Sequence, residues 1–332
     1  MRDVAALAGV SFKTVSRVVN AEAGVSADLR ERVRSAAEQL NYRPNLQASN
    51  LRRAEPRTAT VGALLQDVGN SFSAELLRAL ENRLRRRGIA VLAASLDEEP
   101  DREREMVGEL VARRVDGLVL MPATTSQEYL VSERRAGLPT VFVDRAPRGV
   151  DADSVTVDNR AGGQLAIRHL IAHGHRRIAV LGDLVTIDTA AQRLAGVTDV
   201  LAAVGGSVTD LVRHDLRSAQ AAQTAVTDLL TLPDPPTAFF AGRNDLSIGA
   251  VRALRAAGRS HLVALVGFDD FPLADVLEPA LTVVRQDVAR VGDEVGRLLF
   301  ARLDGDTSGP VHVVLEPSLV VRGSGEIPPP PP

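Results

Sequence analysis

The stretch Ala8-Gly9-Val10-Ser11-Phe12-Lys13-Thr14-Val15-Ser16-Arg17-Val18-Val19-Asn20 decides how the amino end of this chain is read. Gly9 offers the left-handed stop that ends one short helix, and Ser11 the side-chain oxygen that caps a second. Val4, Ala5, Leu7 and Ala8 put small apolar groups on one face of the first helix, and Val15, Val18 and Val19 do the same for the second. The outer face of the second helix then carries Phe12, Lys13, Ser16 and Arg17, a set able to enter a major groove and meet base edges and phosphates. Composition alone would also allow any surface helix of a three-helix module.

Working outward, Asn20 to Val25 reads as a loop, and Ser26 caps a third helix with Leu29, Val33, Ala36, Ala37 and Leu40 at helical spacing. Asp28 suits its positive end, and Asn41 and Pro44 close it. Asn45 to Arg53 is too short for a stable isolated helix, and Glu55-Pro56-Arg57-Thr58 reads as a linker. From Thr60 the pattern changes to short apolar runs alternating with amphipathic stretches. Strands are expected at Val61–Leu65, Ala90–Ala94, Gly117–Met121, Thr140–Val143, Ser154–Val157, Ile178–Leu181, Ala238–Ala241 and Ala264–Phe268. Helices are expected between most of them, for instance Ala74–Arg87, Arg102–Arg113, Arg160–Ala172 and Ala219–Leu232. Alternation of this kind means parallel sheets covered on both faces, and its length calls for two doubly wound lobes with a cleft between them.

Composition narrows the function. The 332 residues hold 39 Lys and Arg against 42 Asp and Glu, a net charge of −3. Residues 1–55, however, carry nine basic against six acidic side chains, which leaves the rest of the chain acidic. A basic module on a mildly acidic body is expected where only one end meets phosphate. There is no cysteine, which excludes disulfides, thiolate catalysis and cysteine-ligated zinc and fits a reducing cytoplasm. No apolar run is long enough for a bilayer, and Met1-Arg2-Asp3-Val4 is no secretion signal, so no membrane partner is expected.

The ordered set of motifs resembles the LacI/GalR family of bacterial regulators over residues 1 to about 323. Besides the opening stretch, the resemblance rests on Val25-Ser26 through Leu40-Asn41-Tyr42-Arg43-Pro44-Asn45 and on Ala48-x-x-Leu51. Further matches are Asp101 to Glu105, Arg114-Val115-Asp116-Gly117-Leu118, Val157-Asp158-Asn159-Arg160-Ala161-Gly162, His169 to Ile178, Gln192-Arg193-Leu194-Ala195-Gly196, Val266-Gly267-Phe268-Asp269-Asp270 and Leu319-Val320-Val321-Arg322. The resemblance implies a helix-turn-helix domain over residues 1–45, a hinge helix and linker over 46–57, and a two-lobed effector-binding and dimerisation domain over 58–323. Residues 324–332 are expected to be a disordered, proline-rich tail.

Carried over residue by residue, the resemblance makes Phe12, Lys13 and Arg17 base readers. It makes Ser11, Thr14, Ser16, Asn20, Ser26 and Asn45 phosphate contacts, and Ala48 and Leu51 minor-groove contacts of the hinge helix. For the cleft it implies Asn70, Phe72, Asp144, Arg193 and Asp269 as effector contacts. Loops at the carboxyl ends of parallel strands converge on such a crevice, and Asp, Asn and Arg suit vicinal hydroxyls. The stretch Ala241-Gly242-Arg243-Asn244-Asp245 departs from the family pattern, so Arg243 and Asn244 both stand as candidates. Ser73 follows Phe72 where many relatives carry a second aromatic, which implies a roomier or more polar floor. The first helix begins without its usual cap, and the short Gly258–Val263 segment trims a surface loop.

The expected function is a homodimeric repressor on near-palindromic operator DNA, controlled by a sugar or nucleoside-like effector, with no cofactor and no enzymatic activity. A sugar-binding receptor or an enzyme on the same two-lobed fold is the rival, but neither has a use for residues 1–53. Neither a phosphate-binding loop nor a G-x-S-x-G elbow is present. Asp269 and Asp270 are adjacent on what reads as extended chain, so they should point opposite ways. His169, His173 and His175 read as structural, and Arg85-Arg86-Arg87 as a solvated helix end.

Overall fold

A computed structural model describes residues 1–19, 22, 24–42, 57–205 and 210–331. Asn20, Asn45, Ala48 and Leu51, and with them the expected hinge helix, lie outside the described residues. The chain divides into two compact units, Met1–Ala59 and Thr60–Pro332.

The first unit contains α1 (Arg2–Ala8), α2 (Phe12–Val19) and α3 (Ala27–Gln39). Gly9 ends α1 at φ 63°, a conformation that costs a residue without Cβ little, and its amide donates to the Ala5 and Ala6 carbonyls. Ser11 Oγ accepts from the Thr14 amide at 3.0 Å to start α2, and Ser26 Oγ accepts from the Leu29 amide at 3.4 Å to start α3. Val4, Ala5, Ala8, Val15, Val33 and Ala36 form the core. So small a core needs polar ties. Arg32 of α3 supplies one, its Nη2 donating to the Ala8 carbonyl at 2.7 Å. Leu40 was expected on the inner face of α3, but at its C-cap it is 44% exposed, because the helical register ends there.

The second unit is built from two parallel-dominated sheets. The first lobe orders its strands β11-β5-β4-β3-β1-β2, all parallel: β1 (Thr60–Leu65), β2 (Ala90–Ser95), β3 (Gly117–Leu120), β4 (Thr140–Val143), β5 (Asp153–Val157) and β11 (His312–Leu315). The second lobe orders them β12-β10-β9-β8-β6-β7: β6 (Ile178–Leu181), β7 (Val212–Arg213), β8 (Ala238–Ala241), β9 (Ala264–Phe268), β10 (Thr282–Arg285) and β12 (Ser318–Val320). Only the β10–β12 pair is antiparallel. The eight strands expected from sequence are all present, with ends within a residue. The four not expected are the two-residue β7, the edge strands β11 and β12, and β10, which are short or follow loops without a clear apolar period.

On the first lobe, α4 (Ser71–Arg85) and α11 (Val288–Leu303) bury Leu76, Leu80, Leu84, Val295 and Leu299 on one sheet face, and α5 (Pro100–Ala112) covers the other with Val107 and Leu110. On the second lobe, α7 (Asn159–Ala172) and α8 (Asp188–Ala203) cover one face, and α9 (Ala219–Leu230) and α10 (Asn244–Ala256) the other. The short α6 (Val131–Arg135) lies between β3 and β4 in sequence. The chain changes lobe three times: from β5 to α7, from β10 to α11, and from β11 to β12. The backbone therefore joins the lobes at three crossings, an arrangement that permits rotation of one lobe against the other.

The tail corrects an expectation. Ser324 is buried; its Oγ donates to the Leu265 carbonyl at 2.6 Å and accepts from the Thr282 amide at 2.9 Å. Glu326 accepts from Thr282 Oγ1 and pairs with His169, while the Ile327 carbonyl is 2.8 Å from His175 Nε2 and its side chain packs on the second-lobe core. Residues 324–327 are thus docked, because they satisfy buried donors and acceptors at the edge of β9 and β10. Only the prolines beyond them, Pro328, Pro330 and Pro331, are exposed. Ser324→Ala should destabilise the protein by about 1–3 kcal/mol, since it leaves a buried amide and carbonyl without their partner. Equilibrium denaturant unfolding checks this; an unchanged midpoint would mean the tail is not held by Ser324.

Candidate functional site

In the first unit, Ser11, Phe12 and Lys13 are exposed at the start of α2, Phe12 by 45%, while Thr14, Ser16 and Arg17 are half-buried. Phe12 is a large apolar ring with no core to join, and Lys13 is the only lysine of the chain. Arg17 is held by Glu22, Nε to Oε2 at 3.4 Å, and the Arg17 carbonyl accepts from the Glu22 amide at 2.9 Å. Ser26 is exposed although its hydroxyl caps α3. Helix α2 therefore carries an aromatic ring, an exposed cation and a guanidinium already oriented by an acid along one amphipathic helix.

In the second unit, the seven residues expected in the cleft divide into two groups. In the first group, Asn70 and Asn244 tie the lobes together, whereas Arg243 and Phe72 each find partners within their own lobe. Asn70, following β1, caps α4 by accepting from the Phe72 amide at 3.0 Å. Its Nδ2 also reaches across to Asn244 Oδ1 at 2.9 Å and Asp245 Oδ2 at 3.3 Å, and Asn244 Nδ2 returns a bond to Asn70 Oδ1 at 3.2 Å. Two helix starts from opposite lobes thus face one another through paired amides. Arg148 and Asp188, 3.0 Å apart, make a second lobe-spanning contact on the surface. Arg243 turns to Asp183 Oδ2 at 2.7 Å and the Arg217 carbonyl at 2.8 Å. Phe72 is half-buried in the first turn of α4 and packs on the first-lobe core.

The second group is Asp144, Arg193 and Asp269. Asp144 follows β4 and Asp269 follows β9, and both adopt left-handed backbone, φ 68° and 66°. That conformation is strained for a residue with a Cβ and gathers at binding sites. Arg193 lies on α8 and is 8% exposed. Its Nε donates to Asn159 Oδ1 at 2.7 Å and its Nη1 to the Gly242 carbonyl at 2.6 Å, while its guanidinium stacks 3.7 Å above the centre of the Phe268 ring. Among the described residues it forms no ion pair. Glycines hold it there: a Cβ on Gly163 of α7 would lie 2.2 Å from the Arg193 carbonyl oxygen, and one on Gly196 of α8 2.0 Å from that of Arg160. Only glycine lets α7 and α8 approach so closely.

The electrostatics follow from burial. Burial pushes Asp144 above the usual carboxylate range, against the pull of Arg145 and Arg193 and with help from Asp269 and Glu98. Asp269 is raised for the same first reason, opposed by Arg193, by a 2.7 Å hydrogen bond from Gln286 Nε2 and by Arg243, and pushed further by Glu75. Arg193 is lowered by burial, although Asp269, Asp144 and Asp183 favour its charge. Three ionisable groups, drawn from both lobes, therefore act on one another's charge without forming an ion pair among themselves.

Sequence reasoning missed Glu98, Arg145, Asp183, Asn159 and Gln286. Asp183 and Arg145 were findable, since each stands just beyond the carboxyl end of an expected strand. Gln286 follows β10, which was not expected at all, and Glu98 reaches Arg145 only through consecutive left-handed residues Asp97 and Glu98. Asp269 and Asp270 do have separate partners, Gln286 and Arg322, but the cause is the left-handed turn at Asp269 rather than extended chain. The three histidines each have protein partners, and among the described residues no cluster of three ligand-type side chains could hold a metal ion. Among them, too, no helix is long and apolar enough to cross a membrane.

Residues 1–45 match the family described as bacterial regulatory proteins, lacI family, and residues 167–325 match the periplasmic binding protein-like domain. The chain is 35% identical to the HTH-type transcriptional regulator CelR of Thermobifida fusca, covering 97% of each. A solved complex of the transcriptional regulator CelR with cellobiose is 34% identical, with a TM-score of 0.71 over 97% of this chain and 98% of that one. The lac repressor dimer bound to operator and the anti-inducer ONPF is 28% identical, with a TM-score of 0.83 over the same shares.

The raised carboxyls give a signed pH effect. A carboxyl whose folded pKa lies above its unfolded value holds more protons when folded, so its contribution to stability falls as pH rises between the two values. Carboxyls lowered by partners, such as Asp153 and Asp270, act in the opposite sense. In urea unfolding across the acid range, the difference between wild type and the Asp144→Asn, Asp269→Asn double variant should therefore grow with rising pH, the variant being the more stable at neutral pH. A difference independent of pH would show that these two carboxyls are not raised.

Proposed function

The chain belongs to the LacI family of bacterial transcriptional regulators, and from that premise we propose that it works as a homodimer on a near-palindromic operator, gated by a sugar or nucleoside-like effector held by Asp144, Arg193 and Asp269. The observation that carries this reading is the convergence of those three buried, mutually unpaired ionisable groups from two lobes joined by three crossings. Such a site gains most when a polar ligand closes the lobes around it. The complex of CelR with cellobiose supports the sugar class. The rival readings, a receptor or an enzyme, give α2 and its exposed Phe12 and Lys13 nothing to do. A regulator that must reach the chromosome works in the cytoplasm.

On the operator, Phe12, Lys13 and Arg17 read base edges in the major groove. Ser11, Thr14, Ser16, Asn20, Ser26 and Asn45 hold phosphates, and Ala48 and Leu51 act in the minor groove. The Arg17–Glu22 pair then orients the guanidinium before DNA arrives. Dimerisation is supported by the edge strand β2, whose outer residues Ala90, Leu92 and Ala93 are exposed, Leu92 by 42%. An unpaired apolar edge of this kind invites a partner. In the cleft, Asn70 and Asn244 act mainly on each other, Phe72 and Arg243 frame the space, and the ligand meets the central three.

Arg17→Ala should cost about 1–3 kcal/mol in operator binding and relax preference at one base pair, whereas Ser16→Ala should weaken all sequences alike. Selection of binding sites from random DNA distinguishes the two; a wild-type motif from Arg17→Ala at uniformly lower affinity contradicts base reading. Arg193→Ala should abolish effector response and leave effector-free operator binding nearly intact. Linkage requires operator and effector to change one another's affinity by the same factor. Effector titrations of wild type and variant, each with and without operator, check this, and equal affinities in all four would sink the assignment.

A further inference from the structure

We propose that Glu22 is a positioning residue for base reading: its carboxylate fixes the aim of the Arg17 guanidinium, which sharpens sequence discrimination and weakens general affinity for DNA. The inference rests on the reading of Arg17 as a base reader and names the residue that makes its contact selective. It follows from how many backbone contacts deliver one weak ion pair to one place.

The Glu22 amide donates to the Arg17 carbonyl at 2.9 Å, which turns the chain back on the last turn of α2. Arg30 of α3 donates from Nη2 to the Glu22 carbonyl at 2.9 Å and from Nε to the Val25 carbonyl at 3.1 Å. Both polar groups of the Glu22 backbone are thereby engaged, one by each flanking helix. The carboxylate so placed lies 3.4 Å from Arg17 Nε. Gly24, at φ 82°, borders the same guanidinium: a Cβ there would lie 3.1 Å from Arg17 Nη2. A side chain at that position would push the guanidinium aside.

Stability does not account for this arrangement. An ion pair between side chains 39% and 52% exposed contributes little to folding, and the backbone bonds hold the turn without the carboxylate. What the carboxylate changes is the guanidinium. Arginine has a long stem with many rotamers, and whatever fixes it beforehand reduces the entropy lost on contact. Held through Nε, Arg17 approaches a base edge from a set direction, and directional hydrogen bonds are what distinguish one base pair from another.

Charge points the same way. Lys13 and Arg17 are four residues apart on α2, so their cations are neighbours and repel. Among the described residues Lys13 forms no ion pair, whereas Arg17 has Glu22. Without the carboxylate, Arg17 would turn away from Lys13 toward the nearest phosphate, a contact that every sequence offers. With it, part of the charge is balanced before DNA arrives, and general attraction to the polyanion falls. The two cations thus differ in role: Lys13 keeps its full charge, and Arg17 has a fixed aim.

The test uses the full chain, the duplex that wild type selects from random DNA, and a random duplex. Glu22→Gln should bind the random duplex about two- to fivefold more tightly, because one exposed negative charge is gone. The slope of log affinity against log salt should steepen by about one, from the phosphate that Arg17 now takes. Preference at the base pair read by Arg17 should fall by about tenfold. In an Arg17→Ala background the same substitution should leave preference at that pair unchanged. A merely structural Glu22 would instead lower affinity for every duplex alike and move no single position. If Glu22→Gln keeps its preference, or loses it equally with and without Arg17, the inference is overturned, while Arg17→Ala still reports base reading. An Arg17→Ala variant that keeps the wild-type motif would overturn the base reading itself, and the inference with it.

Discussion

The buried guanidinium of Arg193 is the constraint on which the second unit depends. An arginine cannot shed its proton to escape a low-dielectric setting, so its surroundings must satisfy it. Here they do so with neutral groups: an asparagine oxygen, a backbone carbonyl and an aromatic face. A stack at 3.7 Å in a desolvated site is worth about 2 kcal/mol, enough to orient the group but less than full compensation of its charge. The remaining field falls on Asp144 and Asp269, which are close enough to feel it and too far to quench it. A ligand that bridges these groups satisfies all three at once, and does so only when both lobes are in place.

Much of the backbone design serves that arrangement. The α7–α8 contact is close because Gly163 and Gly196 leave no Cβ between the helices, and this sets the depth at which Arg193 emerges. The left-handed turns at Asp144 and Asp269 swing their carboxylates away from the strand direction, a strained conformation at the two positions where aim matters most. The paired amides of Asn70 and Asn244 bridge the lobes directly, and Asn70 also caps α4. Lobe closure is therefore built from few, directional bonds. Such bonds can be exchanged for ligand contacts at small net cost, as a switch requires.

The first unit solves a different problem. Among the described residues its buried core is six small side chains, too few to order three helices by burial alone. Capping and side-chain ties to backbone carry a larger share: Gly9, Ser11 and Ser26 close the helix ends, Arg32 holds α1 to α3, and Arg30 ties down the chain before α3 through the Val25 and Glu22 carbonyls. With apolar mass kept small, the outer face of α2 is left to Phe12 and Lys13.

By itself, the sequence determined both fold classes. Alternating apolar runs and amphipathic helices permit little but doubly wound parallel sheets, and the Gly9, Ser11 and Ser26 signals mark helix ends through local backbone chemistry. Asp144 and Asp269 follow expected strands, so their loop position was legible for the same reason, whereas Arg193 lies within α8 and only the family resemblance pointed to it. What only tertiary structure decided concerns contacts between segments far apart in the chain. The pairing of Asn70 with Asn244 spans 174 residues, and the docking of Ser324 to Ile327 depends on an unpaired amide and carbonyl at Thr282 and Leu265 that no local pattern reveals. A serine followed by glycine, glutamate and prolines looks like a solvated tail because periodicity registers apolar faces. It is blind to a polar group whose partner is a buried donor elsewhere in the fold.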